Sequence, residues 1–183
     1  TKKYMDGLEA HFKASVDADA DAKPAVRNEL KSFIDDIDSL RYLLIEDFNT
    51  NGLIGDVERV IEPSTSGENF YWFFRNEGKS GKKAFEAGSR GVGKQTLHEA
   101  SELKSFIAYS IRNTDKKAFV MGKTVLTSHN FDGTRYPPRG FYAKRRDDGL
   151  QLPIEDQAVI ESYVTDFQSE RTDQSGLSVA VLS

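Results

Sequence analysis

A chain of 183 residues with 38% hydrophobic and 11% aromatic content is long enough to bury one core, and one domain over 1–183 is the expectation. A formal net charge of -4 argues against wholesale nucleic-acid binding, and no run approaches the ~18 apolar residues that cross a bilayer. The lack of cysteine excludes a disulfide framework and a thiolate metal site, which suits the cytoplasm; no membrane partner is expected, and DNA at most as an indirect one.

The start, TKKYMDGLEAHF, has no signal-peptide core and no mark of a removed leader. Tyr4, Leu8, Phe12 and Val16 recur at helical spacing and predict an amphipathic packing helix over Lys3 to Val16. Asp17, Asp19 and Asp21 imitate the opening of a calcium loop, but Ala22 stands where that loop needs glycine and Asn28 where it needs glutamate. An acidic linker is the better reading. Pro24 opens a second helix with Val26, Leu30, Phe33, Ile34 and Ile37 on one side, so residues 1–40 form a helical pair expected to cover one face of a sheet.

Arg41 to Glu46 is the first strand, and its nearly continuous apolar run predicts a place in the sheet interior. It delivers Glu46 and Asp47 to an Asn/Gly turn, FNTNGLIGD. A carboxylate at a strand end, followed by a flexible turn, is a way to set one acceptor for an adenine amino group at the floor of a pocket. Gly52 to Ser66 is loop-like. Asn69 to Arg75 packs five aromatics without alternation, so period cannot separate helix from strand; core is the first reading, and a wall beside a flat base the second.

Gly78 to Ser101 is a basic, glycine-broken loop that runs into a helix from about Val92 to Leu103. Glycines 88, 91 and 93 can bring bare N–H groups up to an anion, and the helix start points its positive end at the same place. Lys79, Lys82, Lys83, Arg90 and Lys94 add local positive charge. A solvated face is the alternative. Gly88 to Lys94 also fits a Walker A loop, G-x-x-x-x-G-K, but Gln95 replaces the magnesium-holding hydroxyl and no buried strand precedes it; the same missing strand counts against a dinucleotide fold.

Ser105 to Arg112 and Lys117 to Thr127 read as a hairpin, and Ser128 to Gly140 as a long surface connection. Lys144, Arg145 and Arg146, followed by two aspartates, read as a solvated turn rather than a phosphate-backbone contact. A helix begins after Glu155 and Asp156 with Val159, Ile160, Tyr163, Val164 and Phe167 as its stripe, and a strand closes the chain from Leu177 to Leu182. His11, His98 and His129 are far apart in sequence, which gives no metal-ligand spacing and no triad.

Three motifs resemble the GHKL ATPases, the group of gyrase B, the large heat-shock chaperone, histidine kinases and MutL. Asp47 to Leu53 is similar to their Asp-x-Gly-x-Gly motif in the longer form of some bacterial members, Gly88 to Gly93 with Lys94 to their lid motif, and Gly176 to Val181 to their last motif. The order is the same, over about Tyr42 to the end. Asn49 stands where a glycine is usual, and Ser178 comes one place after the usual threonine. The first motif, a helix with Glu and Asn four residues apart, does not occur before Asp47, where Asn28 and Glu29 stand in the wrong order.

The resemblance implies an α/β (α+β) two-layer sandwich, helices on a mixed, mainly antiparallel sheet of the Bergerat type, with 41–183 as the nucleotide-binding core of a fragment of a larger protein. It implies an ATP-binding module whose lid closes over the nucleotide, with Asp47, Gly52 and Ser178 at the base and Gly88, Gly91, Gly93 and Lys94 at the phosphates. The general base and the ligand for Mg2+ are expected outside this chain. ATP or ADP and the rest of the parent protein are the implied partners, with room for a homodimer. A binding or scaffold module that does not hydrolyse nucleotide is the alternative.

Overall fold

The computed structural model describes residues 2–19, 21, 24–35, 41–76 and 92–183. The fold is α+β, built on a five-stranded, wholly antiparallel sheet. Its strands are β1 (Tyr42–Glu46), β2 (Ser105–Ile111), β3 (Ala118–Val125), β6 (Arg139–Tyr142) and β9 (Gly176–Leu182), in the order β1-β9-β2-β3-β6. Two short hairpins stand apart from it, β4 (His129–Phe131) with β5 (Thr134–Tyr136), and β7 (Lys144–Arg145) with β8 (Gln151–Leu152). The helices are α1 (Leu8–Ala18), α2 (Pro24–Asp35), α3 (Val92–Glu99) and α4 (Gln157–Asp166).

Strand alternation gives the sheet two apolar faces. On one, Ile107, Tyr109, Ile111, Val120, Ala180 and Leu182 pack with Phe12 and Val16 of α1, Ile34 of α2, and Ile160 and Tyr163 of α4. On the other, Phe106, Ala108, Phe119, Met121, Val179 and Val181 pack with Leu53, Phe70 and Phe74, and Leu97 of α3 lies against the same cluster. The expectation of helices over one face therefore gives way to cover on both. The register fixes this division: Ile107 pairs with Ala180 and Phe106 with Val181, so like faces meet strand by strand.

Several expected elements form where the sequence places them. The hairpin of β2 and β3 is antiparallel, and Asp156 caps α4 by accepting from the N–H groups of Ala158 and Val159. The first helix is broken: Lys2–Met5 is a 3-10 turn, and Gly7, at φ 77, separates it from α1. The aromatic run resolves as a π-helix over Tyr71–Arg75 that buries Tyr71 and Phe74. Residues 128–140 carry more structure than a surface connection, because Asp132 (φ 46) and Gly133 (φ 70) make the paired left-handed turn of a tight hairpin.

β1 departs most from expectation. It lies at the sheet edge rather than in its interior, pairing among the described residues with β9 alone. Tyr42 and Leu44 turn towards the α1/α4 face, whereas Leu43 is 60% exposed and Ile45 48% exposed on the face that carries α3. An unbroken apolar run reads the same for a doubly covered strand and for an edge strand with an uncovered apolar shelf.

Candidate functional site

The turn after β1 is held from every side. Thr50 donates its N–H to the Ser175 carbonyl (3.3 Å), Leu53 donates to Ser110 Oγ (2.9 Å), and Asn69 Nδ2 donates to the Gly52 carbonyl (2.9 Å). Ser110, fully buried, donates its hydroxyl to the Gly176 carbonyl (2.9 Å). Asn49 takes the left-handed conformation (φ 58), which asparagine tolerates, so this turn forms without the glycine usual at that place. Gly52 is also left-handed (φ 65), and a Cβ there would meet the Ile111 carbonyl at 2.5 Å. The protein's own backbone thus accounts for glycine at 52.

Asp47 extends the ladder beyond β1: its N–H donates to the Leu177 carbonyl (2.9 Å), and its Oδ1 accepts from the Leu177 N–H (2.7 Å) and the Thr50 hydroxyl (2.9 Å). Oδ2 has no hydrogen-bond partner among the described residues, and Asp47 is exposed. The result is a carboxylate fixed by one oxygen with the other presented to solvent. Leu43 and Ile45 precede it at alternate positions of the strand, so an apolar shelf borders the free oxygen.

Ser178 serves this turn from below. It is fully buried; its hydroxyl donates to Glu46 Oε1 (2.6 Å) and accepts from Arg171 Nε (2.9 Å), while its carbonyl accepts from the Tyr163 hydroxyl (3.0 Å). Burial alone would raise the pKa of Glu46. The hydroxyls of Ser169 and Ser178, the N–H of Glu170 and the charge of Arg171 outweigh it and bring the carboxyl below its ordinary value. Arg171 is 1% exposed: Nη1 donates to the Gln174 carbonyl (2.8 Å), Nη2 to the Asp47 carbonyl, and the guanidinium lies 4.9 Å from the Phe48 ring centre. No local pattern in the turn ERTDQSG marks this arginine, and its role emerges only from the fold.

The remaining predicted residues are distributed as follows. Gly93 and Lys94 lie in the first turn of α3, and Leu97 anchors that helix on the sheet face that carries Ile45 and Leu43. Gly88 and Gly91, with the rest of the lid motif and the five-cation loop as far as Gly91, lie outside the described residues. The elements bearing Asp47 and Lys94 therefore share one face of the sheet, with Leu53, Phe70 and Phe74 packed on it as well.

A concavity of about 360 Å3 opens on the other face and is bordered by Tyr4, Leu8, His11, His129, Tyr136 and Tyr142. The fold brings two sequence-distant histidines together there, His11 Nδ1 and His129 Nε2 lying 2.9 Å apart. His129 Nδ1 lies 2.8 Å from the Thr127 carbonyl, which can only accept, so Nδ1 carries the proton and Nε2 accepts from His11. Burial first, and His129 second, lower the pKa of His11. Among the described residues no group of three or more His, Cys, Asp or Glu is placed to hold a metal ion.

No protein-family model, no curated protein and no solved structure matches the chain. Among the described residues no helix is long and apolar enough to cross a membrane.

Proposed function

We propose that the chain is an ATP-binding module of GHKL type, with a Bergerat-type arrangement, in which nucleotide-dependent closure of the 78–91 lid changes the shape of a larger protein. One observation carries the reading: a carboxylate held by one oxygen, with the other unengaged among the described residues, stands beside an apolar shelf on the sheet face against which α3 packs through Leu97. Asp47 Oδ2 would accept from the adenine amino group, and the shelf of Leu43 and Ile45 suits the flat apolar side of a base. Gly93 and Lys94 at the start of α3, with Gly88 and Gly91, would hold the phosphates. ATP supplies the triphosphate whose charge the lid answers. We assign no general base to this chain.

The test is calorimetric titration of the wild type and of Asp47→Asn with ATP and GTP. The wild type should prefer ATP, and the substitution, which makes the acceptor ambiguous, should cut that preference about tenfold or more. Equal preference before and after the change would remove Asp47 from the site.

A further inference from the structure

Among the described residues Arg171 is the largest fully buried side chain, and burying a guanidinium is expensive unless its donors are used. A buried charge is also a poor stabiliser compared with apolar packing of the same volume, so its presence beneath Asp47 asks for another reason. Each of its three nitrogens donates within this turn. Nε reaches Ser178 Oγ (2.9 Å), Nη1 the Gln174 carbonyl (2.8 Å) and Nη2 the Asp47 carbonyl, while its flat face covers the inner side of Phe48. Gly176 lets these groups converge: a Cβ there would lie 2.4 Å from the Asp47 carbonyl oxygen, 2.6 Å from Asp47 Oδ1 and 2.8 Å from Arg171 Nη1. Lysine has neither the planar fork nor the reach to three acceptors at once.

We propose that Arg171 is a positioning residue for adenine: it grips the Asp47 main chain from beneath the sheet edge, so that the one free carboxylate oxygen is held at a fixed height and angle for the base. The proposal rests on the ATP-binding reading above. The Asp47 N–H and Oδ1 are bonded to Leu177 and Oδ1 also to the Thr50 hydroxyl, while the Asp47 carbonyl accepts from Arg171, so the grip on that carbonyl comes from outside the strand ladder. Ser178 transmits the restraint to Glu46, whose other donors are the Ser169 hydroxyl and the Glu170 N–H. The grip is therefore anchored at the end of α4 as well as in β9.

The experiment is a double-mutant cycle on ATP affinity using Arg171→Lys, Asp47→Asn and the pair, each checked for an intact fold by its amide NMR spectrum. Arg171→Lys should weaken ATP about tenfold in the wild-type background and change it little once Asp47 is already Asn, because the two act through one contact. Unchanged ATP affinity in a folded Arg171→Lys protein overturns the proposal and leaves the ATP reading standing. So does an equal loss in both backgrounds, which would mean general loosening. A wild type that does not bind ATP overturns both. Should Arg171→Lys fail to fold, Ser178→Ala, which removes the Nε acceptor together with the hydroxyl that donates to Glu46, takes its place, with the same losses expected and the same results decisive.

Discussion

Gly176 has no room for a side chain, and this single position shows how tightly the Asp47 turn is built. Its φ of 145 lies where L residues are strained, and an added Cβ would press on backbone as well as on the Arg171 guanidinium. Gly176→Ala should therefore cost roughly 3 kcal/mol in urea unfolding, well above the effect of a surface substitution. Gly149→Ala is the control, since a Cβ there meets nothing within 4 Å although its φ of 87 is also left-handed; it should cost no more than the strain alone, about 1 kcal/mol. Glu46 offers a second residue-scale test. Its folded pKa lies below the ordinary value of 4.5, so the stability it contributes is present above that value and is lost as pH falls through the folded one. The gap in urea midpoint between wild type and Glu46→Gln should be flat above about pH 5 and shrink as the solution is acidified below 4.5. A gap that widens on acidification would place the wrong partners around Glu46.

At the scale of elements, local patterns accounted for most of what formed. The β2/β3 hairpin, the capped α4 and the closing strand β9 each carry their signal within a few residues: alternation bounded by a turn, a carboxylate before a helical stripe, a glycine before an apolar run. The failures were of context. YLLIE states that a strand is apolar but not which neighbours cover it, so its edge position was illegible. The Asp132-Gly133 pair was a legible hairpin signal lost among the other turn residues of 128–140. The site divided in the same way: Asp47 and Gly52 stand out in sequence, whereas Arg171 is remote and unmarked, and the reason for glycine at 52 required the approach of Ile111. The histidine pair is another contact between distant elements, tying α1 to the β4/β5 hairpin. His11 has a lowered folded pKa, so the neutral pair contributes fully above 6.5 and its contribution falls as pH drops below that value. The thermal midpoint of the wild type should exceed that of His11→Gln at pH 8 and converge on it as the solution is acidified from pH 6.5, and a constant offset would remove the pair as a titrating contact.

At the scale of the molecule, the antiparallel sheet separates two environments. The α1, α2 and α4 face is closed over a continuous core, with the histidine-lined concavity at its margin near β6. The α3 face is closed in its middle by Leu53, Phe70 and Phe74 and left open along β1, where Leu43, Ile45 and the free oxygen of Asp47 lie. We propose that ATP binds on that open margin, at the β1 edge of the sheet, whereas the concavity lies on the opposite face at the β6 edge. The most direct measurement is amide and methyl NMR during titration with ATP. Binding on the β1 margin should shift Asp47 to Leu53, Leu177 and the methyls of Leu43 and Ile45, and leave His11, His129 and Tyr136 unmoved. Shifts confined to those three residues, or no shifts at millimolar ATP, would contradict it.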